Sequence, residues 1–165
     1  EKDEVLLMMN EIETKKKELF MQTFEVITEN FKRIFTQLST KGEAFLELEE
    51  PDNIFDGGMI IKVRLTGKKF MDIRSLSGGE KTMTALAFLF AVQEHNPAPF
   101  YVLDEVDAAL DKRNSESLAR LVKDYGDRAQ YLIISHNDGI ISEADTLYGV
   151  SMNQHGISKV LSLKI

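Results

Sequence analysis

Phe100-Tyr101-Val102-Leu103-Asp104-Glu105 is the stretch on which the fold turns. Four apolar or aromatic residues in succession, with no polar alternation, read as a parallel strand covered on both faces. A second such run, Tyr131-Leu132-Ile133-Ile134, follows downstream, and residues 114–125 between them are helical in pattern. Strand alternating with helix implies an α/β layer. Ligands of open α/β sheets bind at the carboxyl ends of the strands, which is where Asp104 and Glu105 fall. In phosphate-transferring enzymes an acid in that place holds Mg²⁺, directly or through water, and a neighbouring carboxylate polarises the attacking water. Asp104 suits the metal and Glu105 the base, although an acid pair after an apolar run is common and needs company to mean anything.

That company lies upstream, at Leu76-Ser77-Gly78-Gly79-Glu80. The segment opens a helix predicted from Ser77 to about Glu94, apolar almost all round and therefore expected to be buried on most sides. Ser77 and Glu80 have the spacing of a capping box. Two glycines in a first turn are expensive for a cap alone, at roughly 1 kcal/mol each relative to alanine. They offer unobstructed backbone N–H groups beside a hydroxyl at the positive end of a helix dipole, which is an anion-binding surface.

Farther out, residues 1–38 contain neither glycine nor proline, and Phe20, Phe24, Ile27, Phe31, Ile34 and Leu38 form a heptad seam. That seam fits either a coiled coil or a helix docked on the domain, and the charged residues before it could continue into a longer rod. After Gly42 the period changes to two: residues 44–49 and 59–65 read as two strands of a hairpin, separated by Pro51-Asp52-Asn53 and Asp56-Gly57-Gly58. Downstream, a short helix is predicted over 138–143, then strands over 146–152 and 157–163.

The 165 residues, 43% hydrophobic and 28% charged, suffice for one globular domain plus an appendage. The absence of cysteine excludes disulfides and thiolate metal sites and fits a reducing compartment. Apolar runs fall well short of the ~20 residues that cross a bilayer, so a soluble chain is expected. The first residue is Glu1, which suggests a segment of a longer chain. A net charge of -7 confines any nucleic-acid contact to a local patch, for which Lys62, Arg64, Lys68, Lys69 and Arg74 are the candidates. A solvated basic face explains those five equally well.

In order, the chain presents Leu76 to Glu80, a helix, Asp104-Glu105, Ala108-Ala109-Leu110-Asp111, and Ser135-His136-Asn137 after an apolar strand. This series resembles the signature motif, Walker B, D-loop and switch histidine of ABC-type ATPases. Within them, Asp104-Glu105-Val106-Asp107-Ala108-Ala109-Leu110-Asp111 is similar to the form found in structural maintenance of chromosomes (SMC) proteins, where a Rad50-like DNA-repair ATPase places proline at the position of Val106. Gly67-Lys68-Lys69 and Ala98-Pro99-Phe100-Tyr101 add to the likeness, which runs from about Phe31 to the end. Ser39-Thr40-Lys41-Gly42 departs from the glycine run of many relatives, and His136 stands at a position variable among SMC proteins.

The resemblance implies a C-terminal half of an SMC head, of prokaryotic type, with a neck helix and coiled-coil end over 1–40 and the C-terminal lobe over 41–165. That lobe would be α/β, a mixed sheet with flanking helices and a small β-hairpin region. A phosphate-cradling G-x-x-x-x-G-K-[ST] loop is missing; Gly79-Glu80-Lys81-Thr82 comes nearest, with glutamate between glycine and lysine. The isolated chain is therefore expected to be inactive, and to hydrolyse ATP with Mg²⁺ only beside the N-terminal half of the head. Two heads would sandwich ATP, with Leu76 to Glu80 reaching the partner's nucleotide, Asp104 holding Mg²⁺, Glu105 acting as base, Asp111 in the D-loop and His136 as switch. Expected partners are a second head, a kleisin subunit and DNA, without membrane, in a cytoplasmic, nucleoid-associated protein of chromosome condensation and segregation. The alternatives are a Rad50-like repair ATPase or a module that mainly docks a kleisin.

Overall fold

The structure is a computed structural model that describes residues 2–39, 42–65, 67 and 69–164. The chain divides into two compact units, the first ending at Ala98 and the second beginning at Pro99. The boundary expected at residue 40 lies outside the described residues. The first unit nevertheless runs across it, because the C-terminal turns of the opening helix belong to that unit's core.

Helix α1 spans Lys2–Leu38. Its N-terminal half is exposed, Leu7 at 63%, whereas Phe31, Ile34, Phe35 and Leu38 are at most 2% exposed. The change follows from what lies beside it. Strands β1 (Gly42–Leu48) and β2 (Met59–Leu65) pair antiparallel from Gly42 opposite Leu65 to Leu48 opposite Met59. A two-residue strand β3 (Met71–Asp72) and a 3-10 turn over Ile73–Ser75, neither anticipated from sequence, lead into helix α2 (Gly78–His95). Alternation along the hairpin buries Ala44, Leu46 and Val63. Helix α2 packs on α1, with Phe88 edge-on to Phe31 at 6.0 Å and Phe90, Ala87 and Ala91 fully buried. Burial of α2 is less complete than its composition suggests: Leu89 and Val92 stay exposed. The β1–β2 connection reaches back to α1, where Phe55 meets Phe20 edge-on at 5.5 Å and Lys16 Nζ lies 4.1 Å over the Phe55 ring.

In the second unit β4 (Phe100–Asp104) and β5 (Gln130–Ile134) are parallel neighbours joined through helix α3 (Lys112–Gly126), in register from Phe100 opposite Gln130 to Asp104 opposite Ile134. Leu103, Leu118, Leu121 and Val122 are buried, but the other face of this pair is open, with Val102 60% and Ile134 52% exposed. The expectation of strands covered on both faces is thus corrected. An unbroken apolar run registers what a strand is suited to face, and only one of its two faces is covered in this chain. Helix α4 (Asp138–Ile141) follows β5, and β6 (Thr146–Met152) with β7 (Ser158–Lys164) closes the chain as an antiparallel hairpin. Its turn needs Gly156 at φ +76°, a left-handed conformation open to glycine. The α/β character and the long opening helix are as expected. The described strands lie in three sheets, of three, two and two strands.

Candidate functional site

The predicted site residues fall in both units, at the start of α2 and at the carboxyl ends of β4 and β5. At the start of α2, Leu76 is buried and fixes the entry of the chain, while Ser77 and Gly78 are exposed. The Ser77 N–H donates to Glu80 Oε2 at 2.8 Å, so the expected capping interaction forms. The Ser77 carbonyl accepts from the Lys81 N–H at 2.8 Å. A Cβ added at Gly78 would meet nothing within 4 Å, and its φ is not in the left-handed region. Packing therefore does not require glycine there. What its absence of a side chain secures is free approach to the first N–H groups of an 18-residue helix, which have no partners within the helix itself.

At the end of β4, Asp104 and Glu105 are both exposed. Glu105 has φ +48°, alone among the described non-glycine residues in having positive φ. A side chain in that region strains the backbone by roughly 1–3 kcal/mol and persists only where its surroundings hold it. The holding bonds are present: the Glu105 N–H donates to the Ile134 carbonyl at 2.9 Å, and the Glu105 carbonyl accepts from the Ala108 N–H at 3.1 Å. Its carboxylate projects beside His136, Nε2 to Oε1 being 3.6 Å, with the imidazole 90% exposed. This contact becomes an ion pair only when the imidazole is protonated.

The next turn is anchored from beneath. Asp107, 5% exposed, accepts a hydrogen bond from the Ser135 hydroxyl at 2.7 Å, and Ser135 Oγ accepts from the Asn137 N–H at 2.9 Å. Asn137 then caps α4, its Oδ1 accepting from the Gly139 N–H at 2.9 Å. Asp111 caps α3 by accepting from the Asn114 N–H at 2.9 Å. The predicted D-loop acid thus has a local structural task whatever else it does. The loops after β4 and β5 are joined through Asp107 and Ser135, a link that periodicity and spacing do not disclose.

Among the described residues no three His, Cys, Asp or Glu side chains are grouped to hold a metal ion. A single exposed carboxylate such as Asp104 does fit Mg²⁺ that arrives with a nucleotide, since Mg²⁺ keeps several waters and takes one or two carboxylates plus phosphate oxygens.

The basic candidates fare differently. Arg64 is paired with Glu43 at 2.6 Å across the hairpin, Lys62 with Glu47 at 3.7 Å, and Arg74 with Asp72 at 2.9 Å. Hydrogen bonds from Arg74 hold the Asp72 carboxyl well below the usual carboxylate range. Lys69 is exposed and Lys68 lies outside the described residues. With three of its five cations matched by acids, the patch offers less net positive charge than its sequence suggests.

Comparison with known proteins supplies the context. The chromosome partition protein Smc of Pyrococcus furiosus is 46% identical over 165 residues, and that of Methanocaldococcus jannaschii 45% over 167. Each match takes in 100% of this chain, which spans about 14% of the length of either relative. The solved Smc head domain with an extended coiled coil bound to the C-terminal domain of ScpA, from P. furiosus, has a TM-score of 0.93 at 46% identity, over 98% of this chain and 40% of that one. Another solved structure, concerned with ATP-driven dimerization and DNA stimulated activation of SMC ATPases, has a TM-score of 0.83 at 46% identity, over 90% of this chain and 89% of that one. A family model described as the RecF/RecN/SMC N terminal domain matches residues 1–159. That description runs against the expected C-terminal half, and the comparisons do not support that placement. What they do establish, over nearly every residue, is that the chain belongs to the RecF/RecN/SMC family and has the fold of SMC heads.

Proposed function

We propose that this chain supplies the signature motif and the hydrolytic carboxylates of an SMC-type ATPase head, and that it works with a phosphate-loop segment outside the present sequence. The observation that carries the reading is Glu105, held in a strained left-handed backbone at the mouth of a parallel strand, next to Asp104 and 3.6 Å from His136. Strain of this kind is found where a side chain must be aimed. In the motif order that the resemblance implies, the phosphate loop precedes the signature. A chain with its signature at Leu76 to Glu80 and no phosphate loop fits the later part of the series, the N-terminal name of the matched model notwithstanding.

Glu105 accepts a proton from the water that attacks the γ-phosphate, and Asp104 orients the metal end of the nucleotide. Mg²⁺, when bound, neutralises charge developing on the phosphate oxygens. Ser77 and the N–H groups that follow it form an anion site open to a second head, so closure of two heads on ATP stabilises charge that neither stabilises alone. Hydrolysis then removes the bridge and shifts the pair toward the open state. Chromosome partition, the role named for the relatives, is the function in which such a cycle would serve, in a cytoplasmic, nucleoid-associated protein.

The test is Glu105→Gln in a head reassembled from this chain and a phosphate-loop segment. ATP binding and ATP-dependent dimerisation are retained, and turnover falls by about 10²–10⁴ as for loss of a general base. Undiminished turnover would remove Glu105 from that role.

A docking function is compatible with this one and has its own support. Both faces of the β6–β7 hairpin are exposed, including Tyr148, Val150, Val160 and Leu161 at 62–73%. A related head is bound to the C-terminal domain of ScpA. If docking were the whole function, adding the phosphate-loop segment would leave ATPase activity at background.

A further inference from the structure

Asp107 is a carboxylate 5% exposed, and among the described residues no ion pair forms with it. Burying a carboxylate without a cation is costly, so its place beneath the site asks what it does there. Its partner is the Ser135 hydroxyl, 2.7 Å away on the loop after β5, and that same oxygen takes the Asn137 N–H at 2.9 Å. Asp107 and Glu105 share one loop, and Ser135, His136 and Asn137 share the other. One bonded chain, Asp107 to Ser135 to Asn137, therefore joins the same two loops that the Glu105–His136 contact of 3.6 Å joins.

We propose that Asp107 and Ser135 form a latch that positions Glu105 and His136, making both positioning residues for the hydrolytic step. The proposal rests on the ATPase reading of Glu105. The strain at Glu105 is what makes a latch necessary. A residue at φ +48° relaxes unless its neighbours forbid it, and the two backbone bonds at Glu105, to Ile134 and from Ala108, restrain the main chain at that residue alone. The buried Asp107 carboxylate adds a side-chain tie from the same turn to Ser135 on the loop after β5. Asp107 is buried and the Ser135 hydroxyl is engaged with Asp107 and with the Asn137 N–H, so the effect is transmitted through geometry.

The measurement is steady-state ATPase in the head assembled with its phosphate-loop segment. Ser135→Ala is expected to lower kcat by about 100-fold, the scale of a catalytic group misplaced by an ångström, with KM for ATP within about threefold. Ser135→Thr, which keeps the hydroxyl, restores kcat to within about threefold of the parent. A folded Ser135→Ala head with parental kcat overturns the latch, and so does a threonine variant that folds but is not rescued. Should Ser135→Ala not fold, Asp107→Leu takes its place: it keeps the branched shape and the number of side-chain heavy atoms, removes the buried charge and leaves nothing to accept from Ser135. Loss of kcat in the folded head is the expected result, and parental kcat in that head refutes the proposal. If even the parental head hydrolyses no ATP, the ATPase reading fails, and the latch is read by amide hydrogen exchange in the nucleotide-free head. Asp107→Leu then speeds exchange at Glu105 and Ala108 as well as at Asn137. A change confined to residues 135–139 would show that the two loops are not coupled.

Discussion

The start of α2 and the loops after β4 and β5 carry the two halves of the candidate chemistry, and they are built in opposite ways. Residues 76–80 are self-contained: Ser77 and Glu80 satisfy one another three residues apart, Leu76 anchors the entry, and no backbone angle is strained. Residues 104–111 are neither local nor relaxed. Glu105 is left-handed, and its turn is held by Ile134 and by Ser135, roughly thirty residues on. An anion site needs only exposed N–H groups in a fixed direction, which a capped helix provides unaided. A general base has to be aimed, and aiming requires restraint from outside its own segment.

The sharpest way to break this contrast is to relax the strained side. Glu105→Asn places a residue that tolerates the left-handed region at that position. Turnover should fall by about 10²–10⁴ while the midpoint of thermal unfolding rises, since the strain goes with the glutamate. Calorimetry beside an ATPase assay tests both limbs. A lower midpoint would mean that Glu105 is not strained in solution.

Next in size is Ser77→Arg, in which a bulky cation occupies the exposed face of the capped turn. ATP-dependent dimerisation, followed by gel filtration or light scattering, should be lost with nucleotide binding intact. A persistent dimer would separate Ser77 from the interface. Asp111→Ala is smaller, removing the cap of α3 at a cost of about 1 kcal/mol in denaturant unfolding. A cost near zero would shift Asp111 from a structural to a purely functional role. Smaller still is Gly78→Ala, which the open space around Gly78 admits. Stability should rise by about 0.4–1 kcal/mol, because alanine narrows the unfolded ensemble. Weaker dimerisation in that more stable variant would show that the glycine is kept for approach and not for folding.

The same division explains what the sequence disclosed. The parallel pair β4–β5, the hairpin β1–β2, helix α2 and the capped Ser77 all follow from runs, alternation and spacing within a few residues, and each is legible. β3 is only two residues long, Met71–Asp72, and has no periodicity to announce it. The open face of β4–β5 is not legible, because Val102 and Ile134 suit a strand equally whether that face is covered or not. The coupling of Asp107 to Ser135 was invisible for a different reason. Each belongs to a recognisable motif, but a hydrogen bond across 28 residues is a property of the fold and not of either motif.

Ion pairs offer the finest version of the comparison, through pH. Bonds from Arg74, two residues away, hold Asp72 well below the ordinary carboxylate range, and a bond from Lys123, twenty residues away, lowers Glu143. For a depressed carboxylate the stabilisation is present above the unfolded pKa and is lost as pH falls through the folded one. The pair of Asp72 and Arg74 is local enough to survive in part when the chain unfolds, so the folded and unfolded values differ less than the folded shift implies. Lys123 and Glu143 meet only when α3 and the end of α4 are brought together, and unfolding parts them entirely. Glu143→Gln should therefore flatten the acid limb of stability more than Asp72→Asn, although in the folded protein Asp72 is the more strongly depressed of the two. Denaturant unfolding of each variant between about pH 5 and pH 2 decides it. A larger flattening from Asp72→Asn would mean that the local pair forms only in the native fold, and that locality in sequence is no guide to what folding adds.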